Sequence, residues 1–296
     1  MNYSGIAVRI RKDLQKMIED KEMKDRCNAP IGIFDSGVGG LTVVREVIRN
    51  IPQEKIVYFG DTARVPYGSK SKDTIIRYSR QIIHFLRTQE VKAIVVACNT
   101  ASAYALEEIK QELDIPIIGV VEPGARVACK ATRNGRIGVI GTEATVNSGI
   151  YTEFIRKKDA NIQVLGRACP LFVPLVEEGW LKDSVTVEVA RRYLKELTDK
   201  DIDTLILGCT HYPLLRSTVR MIVGDEVTLV NPAYETAREL KELLRRENLE
   251  RLEAVEDEGE RCQFFVSDLA KKFQKFANSI LPFEIEMTKQ INIEEY

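Results

Sequence analysis

The sequence lacks the features by which several large classes of protein are recognised. No apolar run approaches the roughly 20 residues that span a bilayer, and residues 1–26 contain no hydrophobic signal core. We therefore expect a cytosolic (cytoplasmic) protein with no membrane partner. Charge of one sign is not in excess either, because 43 Lys and Arg oppose 44 Asp and Glu. Without a positive field to attract a polyanion, no nucleic-acid partner is expected.

Motifs for metals, dithiol redox chemistry and nucleotides are also missing. None of the six cysteines stands in a C-x-x-C pair, so their spacing supports neither structural zinc nor a redox dithiol. In the reducing cytosol we expect them to be free thiols. The Walker lysine and a complete G-x-G-x-x-G are absent as well. What remains, with 44% hydrophobic and 29% charged residues, is the composition of a globular protein.

Short aliphatic runs alternate along the chain with amphipathic stretches. Helical patterns occupy residues such as 41–51 and 184–197, and a last strand is expected at 263–268, followed by a helix. The other expected strands begin at Ile31, Lys55, Lys92, Pro116, Arg136, Thr204 and Val227. Strands that alternate with helices and are apolar on both faces are typical of parallel sheets. The sequence therefore predicts an α/β protein with parallel sheets flanked by helices.

Two landmarks repeat at nearly the same distance along the chain. The run "IGIFDSG" begins at Ile31 and the similar "IGVIGTE" begins 106 positions later, at Ile137. Cysteines follow the aliphatic runs "IVVA" and "LILG" at Cys98 and, 111 positions later, at Cys209. A repeat of this length predicts two related half-structures of about 110 residues.

The first 30 residues lie outside this repeat. The apolar residues Ile6, Ile10, Leu14, Met17 and Ile18 have roughly helical spacing. An amphipathic helix and a frayed terminus are equally consistent with this pattern.

Both repeated cysteines stand at predicted strand ends, where functional groups gather in open α/β sheets. After Cys98 the chain enters a predicted helix, and after Cys209 it reaches Pro213, which suits a first helical position. A helix N-terminus binds anions and favours a thiolate, so we expect both thiols to be reactive. The alternative is that they are buried core thiols. That core interpretation is the one we give to the other cysteines, which are Cys27, Cys129, Cys169 and Cys262.

The loop after the first strand, "DSGVGG", is a second candidate. Asp35 and Ser36 follow the first strand. Gly37, Gly39 and Gly40 would let the backbone approach a ligand before a helix begins. The alternative is a tight turn with a helix N-cap.

A third loop, "GDTARVPYGSKS", follows the second strand and presents Arg64, Tyr67 and Gly68. It could close over a small ligand, or it could be only a turn-rich connection. Of the two histidines, His84 lies in a helical pattern and is interpreted as a surface residue. His211 lies two positions after Cys209 and is a candidate functional residue.

Taken together, these motifs resemble the bacterial glutamate racemases of the aspartate/glutamate racemase family. The resemblance is carried in order by "IGIFDSGVGGLTV", "YFGDTARVPYGSKS", "VVACNTASA", "GVVEPG", "VIGT", "CPLFVPLVEEG" and "LILGCTHYPLL". It extends from about Ile31 to the strand near Phe265. Each motif alone is weak, but the two cysteine motifs together with "DSG" are specific.

The resemblance implies two α/β domains related by a pseudo-twofold axis, with one active site in the cleft between them. We expect the first domain to comprise 1–121 and 231–296, including the extension at 1–30, and the second to comprise 122–230. The implied activity is a cofactor-independent racemisation of glutamate that supplies D-glutamate for peptidoglycan, with no metal, pyridoxal phosphate or nucleotide. We also expect a homodimer.

By position, the resemblance makes Cys98 and Cys209 the paired acid/base residues, the first serving D-glutamate and the second L-glutamate. Asp35 and His211 correspond to helper groups that tune them. The predicted substrate contacts are Asp35, Ser36, Tyr67, Gly68, Asn99, Thr100, Glu177, Thr210 and His211. The neighbouring Glu178 is an alternative for the pocket carboxylate.

Three other functions are consistent with parts of this pattern. A sister racemase could act on aspartate, hydantoins or another small acid. A two-domain binding protein could close on an amino acid without chemistry, although it would not need cysteines at both strand ends. A thiol redox protein would need Cys98 and Cys209 close enough to form a disulfide.

Overall fold

A computed structural model describes residues 15–17, 20–253, 255 and 261–296. Its framework is two parallel β-sheets. The first has the order β10-β9-β2-β1-β3-β4, with β1 (Ile31–Asp35), β2 (Ile56–Gly60), β3 (Ala93–Val96), β4 (Ile117–Gly119), β9 (Cys262–Val266) and β10 (Thr288–Gln290). The second has the order β6-β5-β7-β8, with β5 (Arg136–Gly141), β6 (Gln163–Ala168), β7 (Thr204–Gly208) and β8 (Thr228–Val230).

Helices cover the faces of both sheets. They are α1 (20–28), α2 (Leu41–Asn50), α3 (Lys72–Thr88), α4 (Asn99–Tyr104), α5 (Leu106–Lys110), α6 (Val121–Ala131), α7 (Glu143–Asn147), α8 (Ile150–Lys158), α9 (Phe172–Glu177), α10 (Ser184–Thr198), α11 (Arg216–Val223), α12 (Pro232–Arg246) and α13 (Ala270–Ile280). Short 3-10 turns lie at Tyr67–Ser69, Tyr212–Leu215 and Ile293–Glu295.

The central strands are mostly apolar because both of their faces are covered. In β1, Ile33 packs into the core on one face of the sheet and Phe34 into the core on the other. In β7, Leu205 and Leu207 lie in one core and Ile206 in the other. This alternation follows from the two-residue period of a strand. It explains why these strands appear in the sequence as uninterrupted aliphatic runs.

The two sheets share one topology, which confirms the predicted α/β fold with parallel sheets. Strands β2-β1-β3-β4 of the first sheet correspond in order to β6-β5-β7-β8 of the second. Strand β6 was not among the expected strands, because its burial is only partial. It begins 107 positions after β2, close to the offset of the repeat. The chain then returns to the first sheet, where β9 pairs with β2.

Some expectations need correction or lie outside the described residues. The strand at 263–268 is not the last, because β10 follows and pairs with β9. The single helix expected after Thr100 is interrupted at Ala105, which separates α4 from α5. Of the apolar residues of the extension, Ile6, Ile10, Leu14 and Ile18 lie outside the described residues, whereas Met17 is exposed. The domain boundaries remain a prediction.

Helix α1 (20–28) packs at the amino ends of the strands of the first sheet. Asp35 and Cys98 lie at the opposite, carboxyl ends. The buried Lys92 ammonium donates to the carbonyl oxygen of Cys27 and pairs at 2.6 Å with the buried Glu54 carboxylate. The backbone N–H of Arg251 donates to the same carboxylate. In this way α1, the first sheet and the segment after α12 are joined around one buried ion pair.

Within the described part of the chain, no helix combines the length and the apolar character needed to cross a membrane. All six cysteines are free thiols, as expected.

Candidate active site

Cys98 lies at the carboxyl end of β3 and is the N-cap of α4. The N–H of Ala101 donates to its sulfur at 3.4 Å, and Ser36 Oγ, at the end of β1, lies 3.5 Å from the same sulfur. The side chain is 5% exposed. The predicted strand-end position of Cys98 is therefore confirmed, and the two loops that follow β1 and β3 meet at its thiol.

Burial, followed by the charges of Asp35 and Cys209, raises the pKa of the Cys98 thiol to about 12, although the hydrogen bonds with Ala101 and Ser36 act in the opposite direction. The sequence predicts a more acidic thiol here, and for Cys98 that prediction is wrong. The helix is only six residues long and its end is buried, so desolvation of the thiolate outweighs the helix terminus. At neutral pH Cys98 is a thiol and can act as a proton donor.

Asp35 ends β1 and is completely buried. Its carboxylate accepts from the N–H of Gly37 at 3.0 Å and from Thr210 Oγ1, in the loop after β7, at 3.5 Å. Burial raises the pKa of this carboxyl group, although the charge of His211 acts in the opposite direction. A Cβ on Gly40 would lie 2.4 Å from that of Asp35, so only glycine lets the loop fold over the carboxylate. Asp35 is thus in electrostatic contact with both cysteine loops.

Cys209 occupies in the second sheet the place that Cys98 has in the first. It follows β7 and is 7% exposed. Its sulfur lies 3.9 Å from His211 Nδ1, and the other ring nitrogen, Nε2, lies 3.2 Å from Glu177 Oε1 at the end of α9. Through these contacts the imidazole connects the thiol to the carboxylate. Glu177 faces His211, whereas Glu178 is exposed, and Glu177 is therefore the one of the two that lies beside the cysteine loop.

The surroundings of His211 favour its charged form. Burial alone would lower its pKa, but the hydrogen bonds to Cys209 and Glu177, with the nearby negative charge of Asp35, raise it to about 10. The same hydrogen bond lowers the pKa of Glu177, with a smaller contribution from Lys272. At neutral pH an imidazolium therefore stands between a carboxylate and the sulfur of Cys209.

The loop after β1 packs directly on the Cys209 loop. A Cβ on Gly39 would lie 2.3 Å from Thr210 Oγ1 and 2.5 Å from His211 Nδ1. Thr42, in the first turn of α2, donates from Oγ1 to the carbonyl oxygen of Thr210 at 2.9 Å. The sequence predicts that these glycines let backbone approach a ligand. At Gly39 the close partner is instead the opposite half of the protein.

Asn99 and Thr100 also contact the second half. Tyr151 of α8 donates from its hydroxyl group to Asn99 Oδ1 at 2.7 Å, and Thr100 Oγ1 lies 3.0 Å from Thr142 Oγ1. Sequence reasoning missed Tyr151, because nothing in the pattern of α8 shows which helix of the other sheet it will face. Thr142 was visible only as the last residue of the motif "VIGT".

The loop after β2 differs from its prediction. Arg64 and Tyr67 are buried rather than presented, since both bond to the carboxylate of Asp61. Gly68 packs against Thr142, because a Cβ added to Gly68 would lie only 2.8 Å from the Cβ of Thr142. At this position the loop therefore approaches the second half through a glycine, while the side chains of Arg64 and Tyr67 hold the loop in place.

The remaining histidine and cysteines have the surface and core positions that the sequence predicts for them. His84 is exposed on α3, with Nδ1 3.1 Å from the carbonyl oxygen of Tyr296, as expected of a surface residue. Cys27, Cys169 and Cys262 are buried, and Cys129 is partly buried. Across the described ranges, no group of three or more His, Cys, Asp or Glu side chains could hold a metal ion.

The site therefore consists of two buried cysteines at corresponding strand ends of two like sheets. Buried residues from both halves, including Asn99, Cys209 and Thr210, also surround a small crevice. Each cysteine has a different ionisable neighbour. Two proton-transferring groups contributed from two halves of a protein are the arrangement that inversion at a carbon centre requires.

Comparison with known proteins agrees with this chemistry. The sequence model of the Asp/Glu/Hydantoin racemase family matches residues 31–240. The glutamate racemase of Geobacter metallireducens is 51% identical over 264 residues, which are 89% of this chain and 97% of that protein. Among solved structures, a glutamate racemase from Bacillus anthracis superposes with a TM-score of 0.84 at 39% identity, covering 89% of this chain and 97% of its own. The Francisella tularensis glutamate racemase, solved with D-glutamate, superposes with a TM-score of 0.83 at 39% identity. The match covers 91% of this chain and 100% of that one.

The fold and site are those of an amino-acid racemase, an isomerase. The chain belongs to the Asp/Glu/Hydantoin racemase family. Within that family its similarity is to the glutamate racemases.

Proposed function

We propose that the protein interconverts L- and D-glutamate by a two-base mechanism in which Cys98 and Cys209 transfer protons on opposite faces of the substrate. The observation that carries the proposal is the equivalent placement of the two cysteines. They follow β3 and β7, which correspond in the two sheets, and the charge of Cys209 acts on the pKa of Cys98. Removal of the α-proton and its return from the other face need two such groups and no cofactor.

The two cysteines begin the reaction in different protonation states. The raised pKa of Cys98 makes it a thiol, whereas the sulfur of Cys209 lies beside the imidazolium of His211, and we assign Cys209 the role of base for L-glutamate. Cys209 would take the α-proton of L-glutamate as Cys98 gives its own proton to the opposite face. The products are D-glutamate, a Cys98 thiolate and a Cys209 thiol. Exchange with solvent then restores the starting state, and the reverse sequence converts D-glutamate.

Glutamate is the substrate that the relatives support. Those from Geobacter metallireducens and Bacillus anthracis are glutamate racemases, and that from Francisella tularensis was solved with D-glutamate. We further infer that residues of both halves form the site. We also infer that the enzyme is a cytoplasmic homodimer and that its D-glutamate serves peptidoglycan synthesis. Substrate contacts would come from Asp35, Ser36, Asn99, Thr100, Thr210 and His211, with the backbone of Tyr67 and Gly68 and the carboxylate of Glu177.

The test is proton NMR of L-glutamate with the purified protein in heavy water, without added cofactor, alongside polarimetry. Loss of the Cα proton signal together with decaying optical rotation is expected. Bound glutamate with neither change would contradict the proposal and leave a binding protein. A parallel panel of aspartate and hydantoins separates glutamate racemisation from that of a sister racemase.

The roles of the cysteines are tested by single substitutions. Cys98→Ala and Cys209→Ala should each lower racemisation by about 10²- to 10⁴-fold, the usual contribution of a general acid or base. The matched control is Cys129→Ala, since Cys129 is partly buried near Asp159 rather than at a strand end of the site. It should stay within about threefold of the parent rate. Retained turnover in both test variants would show that the proton-transferring groups are elsewhere.

A further inference from the structure

The hydrogen bond between Tyr151 and Asn99 joins the two halves beside the reacting groups. Asn99 follows Cys98 directly, whereas Tyr151 lies in α8 on the second sheet. A Cβ added to Gly208, just before Cys209, would lie 3.1 Å from the Tyr151 ring. Both side chains are buried, and the oxygen atoms are 2.7 Å apart. Neither the mechanism above nor the family resemblance assigns a role to Tyr151.

This bond fixes the orientation of the Asn99 amide group. Burial keeps the pKa of Tyr151 well above its usual range, so its hydroxyl group retains a proton to donate. The amide oxygen accepts that proton, which directs the NH₂ group away from Tyr151. Among the residues that the structure describes, the NH₂ group of Asn99 has no hydrogen-bond acceptor, and it is not sealed from solvent. A reversed amide would instead leave the buried hydroxyl proton of Tyr151 without an acceptor.

We propose that Tyr151 is a positioning residue that holds the Asn99 amide with its NH₂ group towards a substrate carboxylate. The inference rests on the proposed function, since it needs an anionic amino-acid substrate at Asn99. An NH₂ group donates to a carboxylate, whereas an amide oxygen in the same place repels it. Because Tyr151 comes from the other sheet, this donor is correctly oriented only when the two halves are together.

The substitution Tyr151→Phe removes the hydroxyl group and keeps the ring. The amide of Asn99 can then turn its oxygen towards the substrate. KM for both enantiomers should rise about tenfold, while kcat changes by less than about threefold, because Tyr151 touches neither the reacting carbon nor a proton in transfer. The matched control is Tyr193→Phe, which removes a hydroxyl group that accepts from the backbone N–H of Leu171. It should leave KM unchanged.

A double-mutant cycle separates positioning from general packing. With Asn99→Ala in place there is no amide to orient, so adding Tyr151→Phe should leave KM at the value of the single Asn99→Ala variant. Independent effects that multiply in the double variant would overturn the inference. An unchanged KM in the single Tyr151→Phe variant would also overturn it, while leaving glutamate racemisation by the parent protein intact. A parent protein that does not racemise glutamate would instead refute the proposed function, and this inference with it.

Discussion

Replacing Glu177 by Gln tests the electrostatic arrangement at Cys209. The substitution keeps the size of the side chain but removes the charge that lies 3.2 Å from His211 Nε2. A hydrogen bond between charged groups contributes about 1.5–3 kcal/mol, and one pKa unit corresponds to about 1.4 kcal/mol. The pKa of His211, about 10 in the parent protein, should therefore fall by about 1–2 units.

The measurement is a pH titration of the imidazole resonances by NMR. The chain has only two histidines, so the spectrum contains two rings. His84 is exposed on α3 and far along the chain from Glu177, and a His84→Asn variant assigns its resonance without touching the site. The Glu177→Gln change should move the His211 titration and leave that of His84 in place. Glu178→Gln, which neutralises the exposed neighbour, is the matched control and should move neither.

The same shift has a consequence for stability, and its sign follows from the raised pKa. The charged form of His211 contributes to folding fully below the unfolded pKa of 6.5, and the contribution is lost as pH rises through about 10. The variant should therefore be less stable than the parent by about 1.5–3 kcal/mol near pH 6, with the difference vanishing above pH 10. Urea unfolding at both pH values measures it. An imidazole that titrates near 6.5 in the parent protein would refute the whole argument.

Two further substitutions test the packing that supports the site. Gly39→Ala should lower stability by about 1–3 kcal/mol and activity by tenfold or more, because its Cβ would meet Thr210 Oγ1 at 2.3 Å; normal activity and urea stability would contradict the close approach. Lys92→Met should cost about 3–5 kcal/mol at neutral pH because it leaves the buried Glu54 carboxylate without its cation. That loss, read from urea unfolding, should shrink in acid as Glu54 becomes protonated, and a penalty independent of pH would show that the ion pair is not the cause.

Much of the fold could be predicted from the sequence because buried parallel strands have a simple signature. The strands β1, β3 and β7 are largely apolar, and Asp35, Cys98 and Cys209 lie at or within two residues of their carboxyl ends. The edge strand β6 is only partly buried and gave no such run. Only the internal repeat could have located it, because it follows β2 at nearly the same offset as the other paired elements.

The composition of the site was predictable to a smaller extent. Cys98 and Cys209 were identified by their strand-end positions, which depend on local sequence alone. The thiol character of Cys98 was not, because it follows from complete burial beside Asp35. The contact of Tyr151 with Asn99 was missed for a related reason. Both depend on how the two halves meet, which the spacing of residues within one half does not contain.

The two halves share a topology but surround their cysteines with opposite charges. Cys98 has the carboxylate of Asp35 nearby, whereas Cys209 has the imidazolium of His211. This asymmetry cannot favour one product, since enantiomers have equal free energies in water and kcat/KM must be equal in the two directions. Under the proposed mechanism it can only change the individual values of kcat and KM in each direction, while their ratio stays equal in the two directions. Under the two-base mechanism proposed above, the duplicated fold would provide a proton-transferring group on each face of the carbon, and the unequal neighbours would give the two cysteines different starting roles.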